Sequence, residues 1–438
     1  MLKRKIEKII EEHLTSCNSK VLLIDGARQI GKTFIIRYVG KKLFKNFIEI
    51  NMVEDSLSAK NFANISTIDD FYFQLSMLFG SQMGQKEDTL IFIDEIQEYP
   101  KLLTLLKFLA SDNRFTYIAS GSLLGVTLAQ TPSIPIGSIR KIRMFPLDFE
   151  EFLYANGFNE FVIEELRKKF LNYESLDEPT HNKIMDLFKK YLIVGGLPDA
   201  VNSFLHDKNV QLIREIQTEI HEYYAADAAK YDSQNKLKIE RIYDLVPSNM
   251  ENKKKRVVVK DIEDIKGKTF NDYSDSFEYL ISSGIALGVQ AISNPIFPLI
   301  ETTSKNLIKL YLNDVGILTS ILYKNNIRAI LDNERSVNLG SVYESVVASE
   351  LIAHGHKLFY YDNRKKGEVD YLIDDYDNLS VLPIEIKSGK DYQIHSAISA
   401  FTSNEEYKVK FGYVFSNERI IKRKDKIIYL PIYYIMFV

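Results

Sequence analysis

A glycine-rich segment early in the chain has the residue types and spacing that hold a triphosphate. It fits the pattern G-x-x-x-x-G-K-[ST] with Gly26, Ala27, Arg28, Gln29, Ile30, Gly31, Lys32 and Thr33. Glycines let the backbone approach a phosphate closely, so that consecutive N–H groups point at it. Lys32 would reach the β- and γ-phosphates, and the Thr33 hydroxyl would bind Mg²⁺. A predicted buried strand at residues 21–24 and a predicted helix from residue 34 favour this interpretation over a chance turn.

Two adjacent carboxylates end the apolar run at residues 89–93. Asp94 would hold Mg²⁺ through water, and Glu95 would orient or activate the water that attacks the γ-phosphate. Two solvated acids at a strand end are the alternative. The pairing of these acids with the preceding glycine-rich loop favours the hydrolytic site.

The next predicted strand, residues 116–119, leads into Ser120, Gly121 and Ser122. In a parallel sheet this strand would lie beside the acidic one. Ser122 is therefore a candidate to contact the γ-phosphate or the attacking water. A turn that merely starts a loop is equally compatible with these residues.

A second set of polar residues lies near the other end of the chain. Asp370 falls in a predicted strand at residues 367–373, and Glu385 and Lys387 fall in a predicted strand at residues 381–389. Residues two apart on a strand share a face. Asp370 and Glu385 could hold a divalent cation there, and Lys387 could help position a hydroxide for phosphodiester cleavage. Glu344, on a predicted helix at residues 342–351, could reach the same place.

An internal ion network of the same carboxylates and lysine is the alternative interpretation of this second set. Charged groups on apolar strands are costly to bury unless they are paired or bound to metal. The residue types alone do not separate the two interpretations.

The hydrophobic pattern predicts elements that would position these residues. Strands at residues 21–24, 47–50, 89–93 and 115–119 alternate with helices, which predicts an α/β layer with a mostly parallel sheet. From residue 149 to about 231 the pattern is helical, with a break at residues 195–198. Short helices and a hairpin (residues 286–292 and 307–312) follow, and a new α/β pattern begins near residue 313.

Composition limits the class of protein further. The chain has 438 residues with 56 basic and 59 acidic side chains, which argues against nucleic-acid or membrane binding by bulk charge while leaving local basic patches possible. The one cysteine, Cys17, excludes an internal disulfide framework. No apolar run reaches the ~18 residues of a membrane span, and no signal-peptide core follows the basic N-terminus. We therefore expect a cytoplasmic protein without a membrane partner.

The first part of the chain resembles the AAA-type ATPases, and within them a prokaryotic group with G-x-R-Q-x-G-K-T loops. The matching motifs are the loop, residues 94–97, the Gly121-Ser122 pair, residues 145–152 and the turn at residues 195–198. The resemblance implies an ATP hydrolase with ATP and Mg²⁺ as cofactors and a helical lid. It leaves a homo-oligomer open, with Arg140 or Arg114 as candidate trans-acting arginines or plain surface residues.

The spacing from Asp370 to Glu385 and Lys387 resembles the restriction-endonuclease-like nucleases. ATPases that carry such a C-terminal domain are similar to this chain over nearly its whole length, including residues 309–318 and 412–416. The expected fold class is therefore α/β throughout. We expect a P-loop AAA-type core (1–155), a helical lid (156–235), a winged-helix-like middle module (236–312) and a nuclease-like domain (313–438).

Two functional hypotheses follow from the sequence. In the first, the nucleotide cycle controls a nuclease-like domain that acts on DNA, with a helix at residues 273–287 in a groove and residues 253–256 on phosphates. In the second, the C-terminal domain does not cut and binds a partner protein or DNA under the control of ATP. A middle module that only packs, with one solvated charge run, is an equally simple interpretation of residues 236–312.

Overall fold

In the computed structural model, strands alternate with helices through the first part of the chain. The elements are α1 (Lys5–Thr15), β1 (Val21–Asp25), α2 (Lys32–Leu43), β2 (Asn46–Asn51), α3 (Ile68–Phe79), β3 (Thr89–Asp94), α4 (Pro100–Asp112), β4 (Thr116–Gly121) and β5 (Ile139–Arg143). The sheet has the order β2-β3-β4-β1-β5, and all its pairs are parallel. The predicted parallel α/β layer is confirmed, and β4 lies between β3 and β1.

The structure describes residues 1–16, 20–53, 61–62, 65–122, 124, 137–230, 236–252, 255–302, 307–331, 339–363, 367–388 and 396–438. Cys17, Lys253 and Lys254 lie outside the described residues. The chain divides into two units. The first unit holds Lys3–Phe145 with Met1 and Ser282–Gly284, and the second holds Pro146–Ile281 and Ile285–Val438 with Leu2.

Burial of both sheet faces explains why the strands of the first unit are so apolar. Every residue of β1 and of β3 is buried. A parallel sheet covered by helices on both faces selects continuous apolar runs rather than alternation. The apolar runs therefore end where the chain leaves the core, and the polar residues that follow each strand meet at one edge of the sheet.

Helices dominate the start of the second unit, as the pattern from residue 149 predicts. They are α5 (Phe149–Ala155), α6 (Glu160–Leu171), α7 (Glu178–Val194), α8 (Pro198–His206), α9 (Val210–Lys230), α10 (Lys236–Glu251), α11 (Val259–Ile262) and α12 (Ser274–Ser283). The helix proposed for residues 273–287 is shorter than expected. It ends at Ser283 because Gly284 has a φ of 81°, outside the right-handed helical region.

An eight-stranded mixed sheet forms the rest of the second unit. Its strands are β6 (Ala286–Ile292), β7 (Ile308–Leu312), β8 (Phe359–Asn363), β9 (Gly367–Asp375), β10 (Ser380–Ile386), β11 (Gly412–Ser416), β12 (Lys422–Lys424) and β13 (Ile427–Pro431), and its helices are α13 (Val315–Tyr323), α14 (Arg328–Leu331), α15 (Gly340–Ala353) and α16 (Ser396–Thr402). The strand order is β12-β13-β11-β10-β9-β8-β6-β7. The predicted hairpin is β6–β7, and because β6 pairs with β8, this sheet continues across residue 312.

Three of the sequence motifs meet inside the second unit. The Gly196 N–H donates to Asp314 Oδ2 at 2.6 Å, and the Leu147 N–H donates to the Gly196 oxygen at 2.7 Å. A Cβ on Gly196 would lie 2.0 Å from the Leu147 oxygen, so this position admits no side chain. Asp314 also caps α13 through the Ile317 N–H at 3.0 Å. The turn at residues 195–198 is thus held between two distant segments.

Among the residues that the structure describes, no helix is both long and apolar enough to cross a membrane.

Candidate active site

The glycine-rich loop lies between the buried strand β1 and the first turn of α2. Gly31 has a φ of 94° where the helix begins, a conformation that favours glycine. Gly26 passes so close to the Met144 oxygen that a Cβ there would lie 2.4 Å from it. The first N–H groups of α2 lack intrahelical acceptors and point into this loop, which makes the helix end suitable for a phosphate.

Lys32 is buried against the loop that contains it. Its Nζ donates to the Gly26 oxygen at 3.0 Å and to the Ala27 oxygen at 2.7 Å. Burial lowers the pKa of Lys32, and the nearby carboxylates of Glu95 and Asp94 oppose the shift. The ammonium is therefore hydrogen-bonded within the loop to two carbonyl oxygens, which an arriving phosphate can replace.

Thr33 and Asp94, predicted from separate motifs, are in direct contact. The Thr33 hydroxyl donates to Asp94 Oδ2 at 2.7 Å, and the Ser120 hydroxyl donates to Asp94 Oδ1. Asp94 is 2% exposed, and burial raises its pKa while the two hydroxyls oppose the shift. Both oxygens of the carboxylate thus accept a hydrogen bond from a hydroxyl.

Glu95 begins the turn after β3 and lies in a small network of polar side chains. Gln97 Nε2 donates to Glu95 Oε2 at 2.5 Å, and the Ser122 hydroxyl donates to the same oxygen at 3.3 Å. Arg28 Nε, from the glycine-rich loop, donates to Ser122 Oγ at 3.1 Å. The structure therefore brings together the predicted residues Glu95, Ser122 and Arg28.

Several residues of this site carry no signal in the sequence that would assign them. Gln97 and Ser120 lie beside the predicted acids, but their contacts follow from the pairing of β3 with β4. Asp25 is buried, and its Oδ2 lies 2.9 Å from Lys141 Nζ of the neighbouring strand β5. Arg4 donates to the oxygens of Ile30 and Phe145. Of these residues, only Asp25 could be singled out from the sequence, because it is a polar residue in an apolar strand.

The two candidate trans-acting arginines differ in their surroundings. Arg140 is exposed on β5, opposite Leu22 in the register. Arg114 pairs with Asp112 at 3.2 Å and lies 4.2 Å from the centre of the Tyr72 ring, in the turn before β4. Arg114 is therefore engaged locally, and a trans-acting role for either arginine stays a prediction.

The second predicted set lies on α15, β9 and β10. Tyr371 is opposite Ile384 in the antiparallel pair, and the Ile386 N–H donates to Asp370 Oδ2 at 2.7 Å. This register brings Asp370 beside Glu385. The Tyr371 hydroxyl donates to the Glu344 backbone oxygen at 2.8 Å, which fixes α15 against β9. The predicted residues thus meet in one part of the second unit.

Lysines neutralise this carboxylate cluster, which we define as Glu344, Glu368, Asp370 and Glu385. Lys309 Nζ lies 2.5 Å from Glu368 Oε1 and 3.9 Å from Glu344 Oε2. Lys255 pairs with Glu344 Oε1, and Lys387 lies 2.7 Å from Glu385 Oε1. The cations and the acids alternate through the cluster, as in an internal ion network.

The pKa shifts show how strongly these charges interact. Burial raises the pKa of Asp370 well above its usual range, and the charges of Glu385 and Glu344 raise it further. Burial alone would lower the pKa of Lys309, but Glu344 and Glu368 outweigh that effect and raise it. Within the described ranges, no three His, Cys, Asp or Glu side chains are arranged to hold a metal ion.

Glu368, Lys309 and Lys255 were not assigned to this site from the sequence. Lys309 is only 1% exposed on the otherwise apolar strand β7, so a buried cation inside a strand pattern was the available signal. Lys255 and Arg256 belong to the run expected to contact phosphates. In the structure they pair instead with Glu344 and Asp362.

Comparison with protein-family models divides the chain into three matches. Residues 18–153 match the AAA domain. Residues 185–328 match the domain of unknown function DUF8612, and residues 339–435 match the domain of unknown function DUF4143. Comparison with curated proteins found no match. The first match, together with the loop geometry, supports an AAA-type, P-loop ATPase-like core at residues 18–153.

The chain is also similar to several solved structures. The Walker-type ATPase paby2304 of Pyrococcus abyssi is 13% identical, with 74% of this chain and 96% of that chain covered and a TM-score of 0.45. The ORC1 protein of Aeropyrum pernix in complex with DNA is 14% identical, with 74% and 92% covered and a TM-score of 0.29. The Hsp104–ADP complex of S. cerevisiae is 13% identical, with 80% and 56% covered and a TM-score of 0.33.

Proposed function

We propose that the first unit binds Mg-ATP and hydrolyses it, with Glu95 as the residue that activates water. The observation that carries the proposal is the contact of Thr33 with Asp94 at 2.7 Å. It joins the end of the phosphate-binding loop to the acidic strand, which is the geometry that a triphosphate and its metal require. Neither motif alone would create this arrangement.

Each residue of the site has a proposed task that its position supports. The N–H groups of the loop and of the first turn of α2 bind phosphate oxygens. Lys32 exchanges the oxygens of Gly26 and Ala27 for phosphate oxygens. Glu95, at the open end of β3, accepts a proton from the attacking water as it approaches the γ-phosphate.

Magnesium fits the donors that this site offers. Mg²⁺ prefers oxygen ligands and combines one or two protein groups with phosphate oxygens. The Thr33 hydroxyl, at the end of the loop, and the Asp94 carboxylate, at the end of β3, are adjacent oxygen donors. When bound, the ion would neutralise charge on the β- and γ-phosphates.

A substitution at the loop lysine tests the ATPase proposal. We expect Lys32→Ala to weaken ATP binding at least tenfold and to abolish turnover, because a point charge on the phosphates is lost. The matched control is Lys41→Ala, which removes an exposed lysine from the same helix. Binding of a fluorescent ATP analogue and release of phosphate measure the two effects. Normal hydrolysis by Lys32→Ala would contradict the assignment.

For the second unit we propose an ion network that maintains the fold and does not cut. Its support is the pairing of the carboxylate cluster with Lys255, Lys309 and Lys387. If Asp370 keeps its proton, the three lysines balance the three remaining carboxylates. On this proposal the second unit binds a partner protein or DNA in response to the nucleotide.

Metal-dependent cleavage of DNA is the second candidate function of this cluster, with Asp370 and Glu385 on the cation, Lys387 beside the hydroxide and Glu344 in support. One observation favours it. Glu385 Oε2 is buried and has no hydrogen-bond partner among the described residues. A carboxylate oxygen left in this state is a potential ligand for a cation.

A cleavage assay separates these two candidates. The full chain is incubated with supercoiled plasmid, ATP, and Mg²⁺ or Mn²⁺. Nicking that disappears in Asp370→Ala would establish the nuclease and contradict the ion network. Absence of nicking with either metal, together with nucleotide-dependent retention of DNA or of a protein partner, is the result we expect.

The four-part division at residues 155, 235 and 312 stays a proposal, as does homo-oligomerisation.

The buried polar contacts of the second unit support coupled movement of its helices. Arg214 of α9 donates to the Ile193 oxygen at the end of α7 and to Thr319 of α13, each at 3.0 Å. We therefore propose that α7, α9 and α13 respond to the nucleotide together.

A further inference from the structure

Gln97 is a buried amide that none of the roles described so far uses. It is 3% exposed and lies on the short turn after β3, two residues beyond Glu95. Its Nε2 is 2.5 Å from Glu95 Oε2 and 3.3 Å from Ser122 Oγ. The amide therefore donates toward the one carboxylate to which the proposed function assigns the attacking water.

The oxygen of the Gln97 amide is in a less favourable environment than the nitrogen. Gln97 Oε1 is buried without a hydrogen-bond partner in the part of the chain that the structure describes. A buried acceptor left unsatisfied is unfavourable, so packing alone does not explain a glutamine at this position. A methionine would fill the same space without that penalty.

The backbone beside the amide is shaped to admit it. A Cβ on Gly121 would lie 2.3 Å from Gln97 Oε1, so the amide occupies the space that a side chain at residue 121 would take. Gly121 ends β4, and Ser122 follows it. The same stretch of backbone thus makes room for Gln97 and supplies the second donor to Glu95.

The network also reaches the phosphate-binding loop. Arg28 Nε donates to Ser122 Oγ at 3.1 Å, which leaves the Ser122 proton for Glu95 Oε2. The order of donors is therefore Arg28 to Ser122 to Glu95, with Gln97 donating to the same Glu95 oxygen. Each hydrogen bond in this series has one donor and one acceptor, so the series is chemically consistent.

We propose that Gln97 is a positioning residue that holds the Glu95 carboxylate in line for the attacking water, with Ser122 and Arg28 tying that carboxylate to the loop. This inference rests on the proposed ATPase function. Gln97 itself touches neither nucleotide nor water. Its loss therefore lowers kcat and leaves the affinity for ATP unchanged.

The test compares Gln97→Met with the matched variant Gln74→Met on α3. Methionine keeps the volume of Gln97 and removes the Nε2 donor together with the unpartnered Oε1 acceptor. We expect kcat for ATP hydrolysis to fall about tenfold, as for one lost hydrogen bond to a charged group, with KM and ATP affinity within about twofold. Gln74→Met should match the unchanged protein.

A double variant separates positioning from a general structural effect. If Gln97 acts only through Glu95, Glu95→Gln with Gln97→Met turns over no more slowly than Glu95→Gln alone. A further tenfold loss, a raised KM, or normal kcat in Gln97→Met overturns the inference while leaving the ATPase intact. Absence of turnover in the unchanged protein overturns the proposed function, and this inference with it.

Discussion

Each of the two units contains a buried carboxylate beside a sheet, but the groups that contact the carboxylate differ. In the first unit, Asp94 at the end of a strand is held by the hydroxyls of Thr33 and Ser120. In the second unit, Glu344 lies against the strands and is held by the ammonium groups of Lys255 and Lys309. The sequence predicted a metal ion at both sites.

The difference in partners indicates which site is open to a ligand. A hydroxyl can turn away from a carboxylate when a cation arrives, because the hydroxyl carries no net charge. An ammonium cannot leave without exposing unpaired buried charge, which costs several kcal/mol. The first site therefore suits a ligand that binds and leaves, whereas the second suits a permanent network.

The largest expected effect is on kcat, and it is tested by making the same isosteric change, glutamate to glutamine, once in each site. Glu95→Gln should lower kcat by about 10²- to 10⁴-fold, the range for loss of a general base, while ATP still binds. Glu368→Gln, in the carboxylate cluster, should leave kcat within about twofold. Phosphate release under saturating ATP measures both. Equal losses in the two variants would show that the sites are not independent.

Removal of the buried cation should damage stability rather than turnover. Lys309 is 1% exposed and faces both Glu368 and Glu344. We expect Lys309→Met to lower the free energy of unfolding by about 3–5 kcal/mol, because it removes a buried cation that pairs with Glu368 and lies beside the buried Glu344. Urea denaturation measures the loss. Rescue of the variant by Mn²⁺ would instead show that the carboxylate cluster accepts a metal.

Asp314 is a third buried carboxylate. Its hydrogen-bond partners are the backbone N–H groups of Gly196 and Ile317 rather than hydroxyl or ammonium groups. Burial raises the pKa of Asp314 to about 6, and the hydrogen bonds from Gly196 and Ile317 only partly oppose the shift. Because the folded value exceeds the unfolded value of 3.8, this group's contribution to stability falls as the pH rises between these two values. We expect the unchanged protein to lose about 2 kcal/mol relative to Asp314→Asn between about pH 4.5 and pH 7.

Urea denaturation of the unchanged protein and of Asp314→Asn at both pH values measures this difference. Asparagine keeps an oxygen for the Gly196 N–H and cannot ionise, so it is the appropriate reference. A constant difference in unfolding free energy across the pH range would mean that Asp314 is not shifted.

The smallest effect is expected at the more exposed lysine of the carboxylate cluster. The Lys387 side chain is 28% exposed and pairs with one carboxylate, Glu385. We expect Lys387→Met to lower the free energy of unfolding by about 1 kcal/mol, less than Lys309→Met, because burial already raises the pKa of Glu385 and this carboxylate can take up a proton when the lysine is lost. Urea denaturation of both variants checks the ranking. The reverse order would place the centre of the cluster at Glu385.

Local patterns predicted much of this molecule, and the successes share a cause. The strands β1, β3 and β4 follow from apolar runs, and the loop at residues 26–33 follows from glycine spacing. Even the proximity of Asp370 to Glu385 follows from the assumption that their strands pair. In each case the determining residues are close in the sequence or repeat with a simple period.

The partners of the predicted residues were not predictable in the same way. Lys309 reaches Glu368 from a strand that is not its neighbour in the sequence, and Gln97 matters only because β4 brings Ser122 beside it. The pairing of β6 with β8, which joins the predicted hairpin to the larger sheet, likewise did not follow from the pattern of residues 236–312. Such contacts depend on tertiary pairing, which one sequence does not encode in its periodicity.

The contact of Gly196 with Asp314 has a consequence for dividing this protein into pieces. A fragment that stops before Asp314 would contain all of α6 to α9, the helices expected to form a lid. It would nevertheless leave the Gly196 N–H, packed beneath Leu147, without its acceptor at 2.6 Å. We therefore expect such a fragment to be less stable than the same helices in the full chain, because a buried N–H group loses its partner.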